Sequence, residues 1–199
     1  MPAVQHQNTI LSEIYHGNSF RLNCLQTLRL GDDQCDVTIK VGNSIIKAHK
    51  SVIRRAFPFF KLMFRSKFRE MITNYVEIQG VPEETFQVFL KLAYTDKLTV
   101  NINNVQLIYS AADYFYDEKL KSFCEEFLFE HLDVVNALEV RRLGLHYWSS
   151  SLVQETDIFI AKSFDIVVSS ENLLVLNKGD FNTLKVRTYL QVKKEESLF

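Results

Sequence analysis

Apolar residues recur along this chain with two periods. From Asp36 to His49 the period is two: "DVTIKV" alternates apolar and polar side chains, Gly42-Asn43 supplies a turn, and "SIIKAH" returns, which predicts a β-hairpin. On either side the period is three to four. Phe20, Cys24, Leu25 and Leu28 share one face of a predicted helix that Asn18 or Ser19 can cap and Gly31 can end. Val52, Ala56, Phe57, Phe60 and Phe64 repeat the spacing after the hairpin, with Pro58 confined to a first turn or a local break.

"YVEIQG" then reads as a short strand closed by Gly80. Pro82-Glu83-Glu84 has the composition of a helix first turn, and Phe86, Phe89, Leu90 and Ala93 form the stripe behind it. "KLTVN" is another short strand. Asn103 or Asn104 can start a helix with Ile108, Ala112 and Phe115 inward, and Asp117 can cap the next, in which Leu120, Phe123, Cys124, Phe127, Leu128 and His131 keep helical spacing. From Val134 on, strand patterns cease. "VVNALEVRRLGLHYWSS", "LVQETDIFIAKSFDIVVSS" and "ENLLVLNKGDFNTL" read as helical segments, so the architecture is expected to shift near residue 133. The short tail "KKEESLF" is expected to fray.

Composition narrows the function. With 47% hydrophobic and 24% charged residues the chain can bury a core, and its formal net charge of -1, with acids and bases interleaved, leaves no footprint for nucleic acid or anionic membrane. No apolar run reaches the roughly 18 residues that span a bilayer, and the N-terminus lacks the basic and then apolar regions of a secretory signal, so the cytoplasm, or the nucleus, is the expected compartment. Three widely spaced cysteines suit reduced, packed thiols.

No pattern of catalysis is legible. GxSxG, HExxH and a phosphate-cradling glycine loop are missing from the sequence, and no Cys or His spacing matches a metal site; no cofactor is expected. His49, at a strand end, is where a base could be displayed; read as a structural group instead, it is a partly buried histidine hydrogen-bonded to a neighbour such as Asp36. The aromatic residues lie mostly on inner helix stripes, and basic residues do not interleave them as a base-stacking surface would require.

The order of these elements, with "CDVTIKV…IIKAHKSVI…F", "FQVFLKLAYTDKL" and "AADYF…LKSFCEEFL", resembles the BTB/POZ family. Asp36-Val37, Ala48-His49-Lys50, Phe60, Met63-Phe64, Ala93-Tyr94-Thr95 and Ala111-Ala112-Asp113 carry the likeness. It implies an α+β fold, a short β-sheet flanked by a cluster of α-helices, over residues 18–132. Residues 1–17 are then a flexible N-terminal segment. Residues 133–190 resemble the start of the all-α BACK extension of kelch-like BTB proteins, and 191–199 are a charged tail. Asp96 stands where many members of the family have glycine; aspartate still enters the left-handed conformation at modest cost.

The resemblance also implies partners. In BTB proteins that recruit cullin-3, an apolar-any-acid motif follows the helix of Phe60 and Phe64, and "FRE" at Phe68, Arg69 and Glu70 matches it. Phe68 is then an interface anchor, or else it closes the underside of the domain; Glu70 and Tyr116 join it in the cullin-binding set. Phe20, Cys24, Leu25 and Leu28 become the dimer interface with the same chain or another BTB protein. The expected function is a non-enzymatic adaptor that binds the cullin-3 N-terminal domain and a substrate protein. The other reading is a BTB module that pairs with other BTB chains without recruiting a cullin.

Overall fold

A computed structural model of the protein describes residues 12–16, 35–65, 72–164 and 166. The predicted N-terminal helix, the "FRE" segment, the last predicted helical segment and the tail lie outside them. Among the described residues the chain forms five strands and seven helices. The first element corrects an expectation: Ser12–His16, inside the stretch expected to be flexible, is a strand, β1, paired antiparallel with Lys97–Asn101 from Ser12 opposite Asn101 to His16 opposite Lys97. Only its Tyr15 is buried, and Ile14 is 57% exposed, so no alternation marked it. Tyr15 meets Phe123 edge to face at 5.2 Å. Burial, with Asp117 and Asp96 nearby, pushes its hydroxyl far above the ordinary tyrosine range.

The predicted hairpin forms as β2 (Val37–Val41) and β3 (Ser44–Ala48), with Val37 opposite Ala48 and Gly42 at φ +58 in the turn. β4 (Tyr75–Ile78) lies parallel to β2 on its other edge, giving the order β3-β2-β4. Val37, Ile39, Val41, Val76 and Ile78 line the buried face, while Lys40 and Glu77 pair at 3.0 Å on the other. After the hairpin come α1 (Lys50–Ala56) and α2 (Pro58–Met63), separated by Phe57 in extended conformation. Proline at the first position of α2 sacrifices no helix hydrogen bond, and the break turns Phe57, Phe60 and Phe64 all inward.

α3 (Glu83–Thr95) starts with the expected acidic turn and stops at Asp96, which takes the left-handed conformation (φ 59°, ψ 20°) and gives its N–H to Leu92 at 2.8 Å. β5 (Lys97–Asn101) and α4 (Val105–Tyr114) follow. Asn104 precedes α4 as expected but does not cap it: its side chain turns back, accepting from Asn101 N and donating to Thr99 O at 3.0 Å. Asp117 does cap α5 (Glu118–Glu130), accepting the Leu120 N–H at 3.1 Å. Between α4 and α5, Phe115 is fully buried, with ring centroids of Phe57, Phe59, Phe60, Phe86, Phe89 and Tyr114 5.1 to 6.0 Å away.

The chain divides into two compact units, Met1–Cys124 and Glu125–Phe199, at a point within α5. In the second unit α6 (Ala137–His146) packs on α7 (Ser150–Lys162). Gly144 sets their approach, since a β-carbon there would stand 2.8 Å from Leu152 Cβ and 3.1 Å from Val153 N. A buried Arg141–Asp157 pair at 2.7 Å ties the two helices. Ser149 caps α7 through the Leu152 N–H and donates its hydroxyl proton to Glu125 at 2.7 Å. Ala137, Leu138 and Ile160 form the core of this unit, with Leu132, Val134, Phe159 and Phe164 around them.

Two tests follow from this packing. In an open helix Gly→Ala gains about 1 kcal/mol, but at Gly144 the added methyl meets backbone and a β-carbon, so Gly144→Ala is expected to destabilise by about 1–3 kcal/mol in urea unfolding; a gain would show that α6 and α7 do not touch here. Burial holds the Asp117 carboxyl above the usual carboxylate range, against the opposing pull of the Leu120 and Lys119 amides. A raised folded pKa stabilises below the ordinary carboxylate value and loses that contribution as pH rises through the raised value. Asp117→Asn, which keeps an accepting oxygen, is therefore expected to match wild type near pH 3 and to be at least as stable at pH 7. Asp117→Ala should lose about 1 kcal/mol across the range.

Candidate protein-interaction surface

The turn between α4 and α5 must do two things at once, placing the Phe115 ring in the core and bringing Asp117 to the first amides of α5. It closes by Tyr116 N–H to Asp113 O at 3.1 Å and Asp117 N–H to Ala112 O at 2.8 Å, which leaves Tyr116 at φ +58. A bulky residue is rarely found there. The conformation throws the Tyr116 side chain outward, 55% exposed, with its ring 6.1 Å from that of Phe59. Phe59 is fixed in turn by its N–H to Phe115 O at 3.2 Å and by ring contact with Tyr114 at 5.2 Å. Burial pushes the Tyr114 hydroxyl above the ordinary tyrosine range.

One turn along α2 from the half-buried Phe59 stands Leu62, 51% exposed. Tyr116, Phe59 and Leu62 thus form apolar surface on a rigid base, the composition from which the desolvated centre of a protein interface is built. Phe59 and Leu62 were not singled out from sequence. The available signal is that they fall off the Phe57, Phe60, Phe64 stripe on a helix whose inward positions are already taken.

Of the residues expected in the cullin-binding set, only Tyr116 is described; Phe68 and Glu70 lie outside the described residues, between Arg65 after α2 and Ile72 before β4. Phe20, Cys24, Leu25 and Leu28 also lie outside them. The pair Asp36 and His49 is corrected: each has a different partner. Asp36 Oδ1 accepts the Lys50 N–H at 2.6 Å, whereas the buried His49 gives its backbone N–H to the Tyr94 hydroxyl at 3.0 Å and places Nδ1 2.8 Å from the same oxygen. Since that oxygen already accepts the amide, its own proton can go to Nδ1. The imidazole proton then belongs on Nε2, which is buried without a partner. Tyr94 outcompetes Asp36 because α3 carries it into the core beneath the strand end, while Asp36 stays exposed.

Among the described residues no three His, Cys, Asp or Glu side chains converge as metal ligands, and no helix is long and apolar enough to cross a membrane. The displaced pKa values of Tyr15, Tyr114 and Asp117 all have burial as their first cause. The surface is fit for contact with another protein.

Comparison with known protein families matches residues 25–132 to the BTB/POZ domain. The chain is similar to Kelch-like protein 8 of Caenorhabditis elegans, 26% identical over 175 residues, which are 88% of this chain and 25% of that protein. It spans about a quarter of the length of this curated relative. The family match takes in the hairpin, the Phe115 cluster and the turn that displays Tyr116, more than half of the sequence, and the chain is a member of the BTB/POZ domain family.

Proposed function

We propose that this BTB protein is an adaptor that recruits the cullin-3 N-terminal domain and pairs with itself or another BTB chain. The observation that carries the reading is Tyr116, held outward at φ +58 beside Phe59 and Leu62, on the flank of the helix from which the chain runs into Phe68 and Glu70. Tyr116 and Phe68 supply aromatic anchors, and Glu70 sets register by accepting a hydrogen bond. Phe20, Cys24, Leu25 and Leu28 form the dimer contact. Residues 133–190, the BACK-like region, extend the adaptor toward its substrate protein.

Calorimetric titration with the cullin-3 N-terminal domain tests the first half. Phe68→Ala and Tyr116→Ala are each expected to weaken binding by about 2 kcal/mol, roughly thirtyfold, with the melting temperature unchanged; Glu70→Ala should cost less. If Phe68→Ala lowers the melting temperature as much as Phe60→Ala does, Phe68 is a core residue. If wild type fails to bind while sedimentation gives a dimer that Leu25→Asp dissociates, the protein pairs BTB chains without a cullin.

A further inference from the structure

The interleaving of acids and bases expected of the chain fails in one stretch: from Val37 to Arg65 it carries seven Lys and Arg residues and no Asp or Glu, in a sequence whose totals are 23 basic and 24 acidic, and the run continues through Lys67 and Arg69. The structure sorts these cations. Lys40 is matched by Glu77 across the sheet, and Lys50 reaches Asn74 and lies over the Phe64 ring. Arg54 at the end of α1, Lys61 in α2 and Arg65 just beyond it are exposed and have no acidic partner among the described residues. Pro58, Lys61 and Leu62, spaced i, i+3, i+4, make up the outward side of α2, opposite the buried Phe60, and Arg65 follows two residues past its end. Leu62 therefore stands in the chain between Lys61 and Arg65, two cations with no acidic partner among the described residues.

Exposed like charges without counter-charges raise the local potential, and an anionic partner relieves their repulsion. We infer that the outward α1–α2 face docks an acidic, extended segment of a partner protein, its carboxylates on Arg54, Lys61 and Arg65 and an apolar side chain on Leu62. An extended chain advances about 7 Å for every two residues, so carboxylates at its alternate positions can meet successive exposed cations. Nucleic acid fits less well: the aromatic residues of α2 turn into the core or toward Tyr116, so bases would lack stacking platforms beside the cations.

Fluorescence anisotropy of the full chain with a labelled peptide of alternating Glu and Leu tests this, alongside labelled oligo(dT) and phosphatidylserine vesicles. The peptide is expected to bind, and to bind less as salt rises. Arg54→Glu with Lys61→Glu should weaken it roughly tenfold or more, Leu62→Ser should weaken it with the salt dependence retained, and Lys91→Glu with Lys97→Glu, exposed on α3 and β5, should leave it unchanged. Should charge reversal impair folding by circular dichroism, Arg54→Gln with Lys61→Gln gives the same reading with a smaller loss. No peptide binding, binding indifferent to Arg54 and Lys61, or tighter binding of oligo(dT) or vesicles each overturns the inference. The cullin-3 titration reports separately through the Arg54 and Lys61 variants, in which Phe59, Leu62, Phe68 and Tyr116 are all intact.

Discussion

The burial of Phe115 is the contact on which the BTB unit depends. It lies in a turn rather than within a helix, yet it touches rings from α2, α3 and the end of α4 at once. Emptying such a site costs about 3–5 kcal/mol, against a total stability of roughly 5–15 kcal/mol for a domain. The neighbouring features read as its consequences. Pro58 breaks the helix so that Phe57 and Phe60 can both reach the ring; Tyr116 accepts a left-handed backbone and an outward side chain; Asp117 arrives where α5 needs a cap. The candidate surface is the outer side of the turn that fills the core.

Much of this was legible because it is periodic or local. The hairpin alternates along both strands, the helix stripes keep their spacing, and Pro58, Asp96 and Asp117 each act on backbone within a few residues. The failures are non-local. Tyr94 finds His49 across 45 residues, β1 owes its existence to β5 rather than to its own pattern, and nothing in the composition of α6 announces that Gly144 must clear Leu152. Asn104 had the right residue type for a cap, but the carbonyl of Thr99 competed for its side chain. The surface was half legible: Tyr116 came by family resemblance, whereas Phe59 and Leu62 needed the inward positions of α2 to be assigned first.

The helical unit is specified by different means. Gly144 allows α6 and α7 to approach until backbone meets side chain, and the Arg141–Asp157 pair fixes which faces meet. A buried pair of this kind adds little net stability, since desolvation offsets most of the attraction, but breaking one partner leaves a stranded charge that costs about 3–5 kcal/mol. Its effect is to exclude alternative registers of the two helices.

The pairing of β1 with β5 has a consequence in time. Ser12 must wait for Asn101, and at ordinary rates of synthesis that wait is on the order of ten seconds. By then the hairpin has been made, so β1, although it precedes the other described strands in the chain, is the last of them to find its partner. Through that interval Tyr15 has no Phe123 to close on and β1 has no ladder. Among the described strands, β1 is thus the slow, long-range step, since the other pairings are made between nearer neighbours.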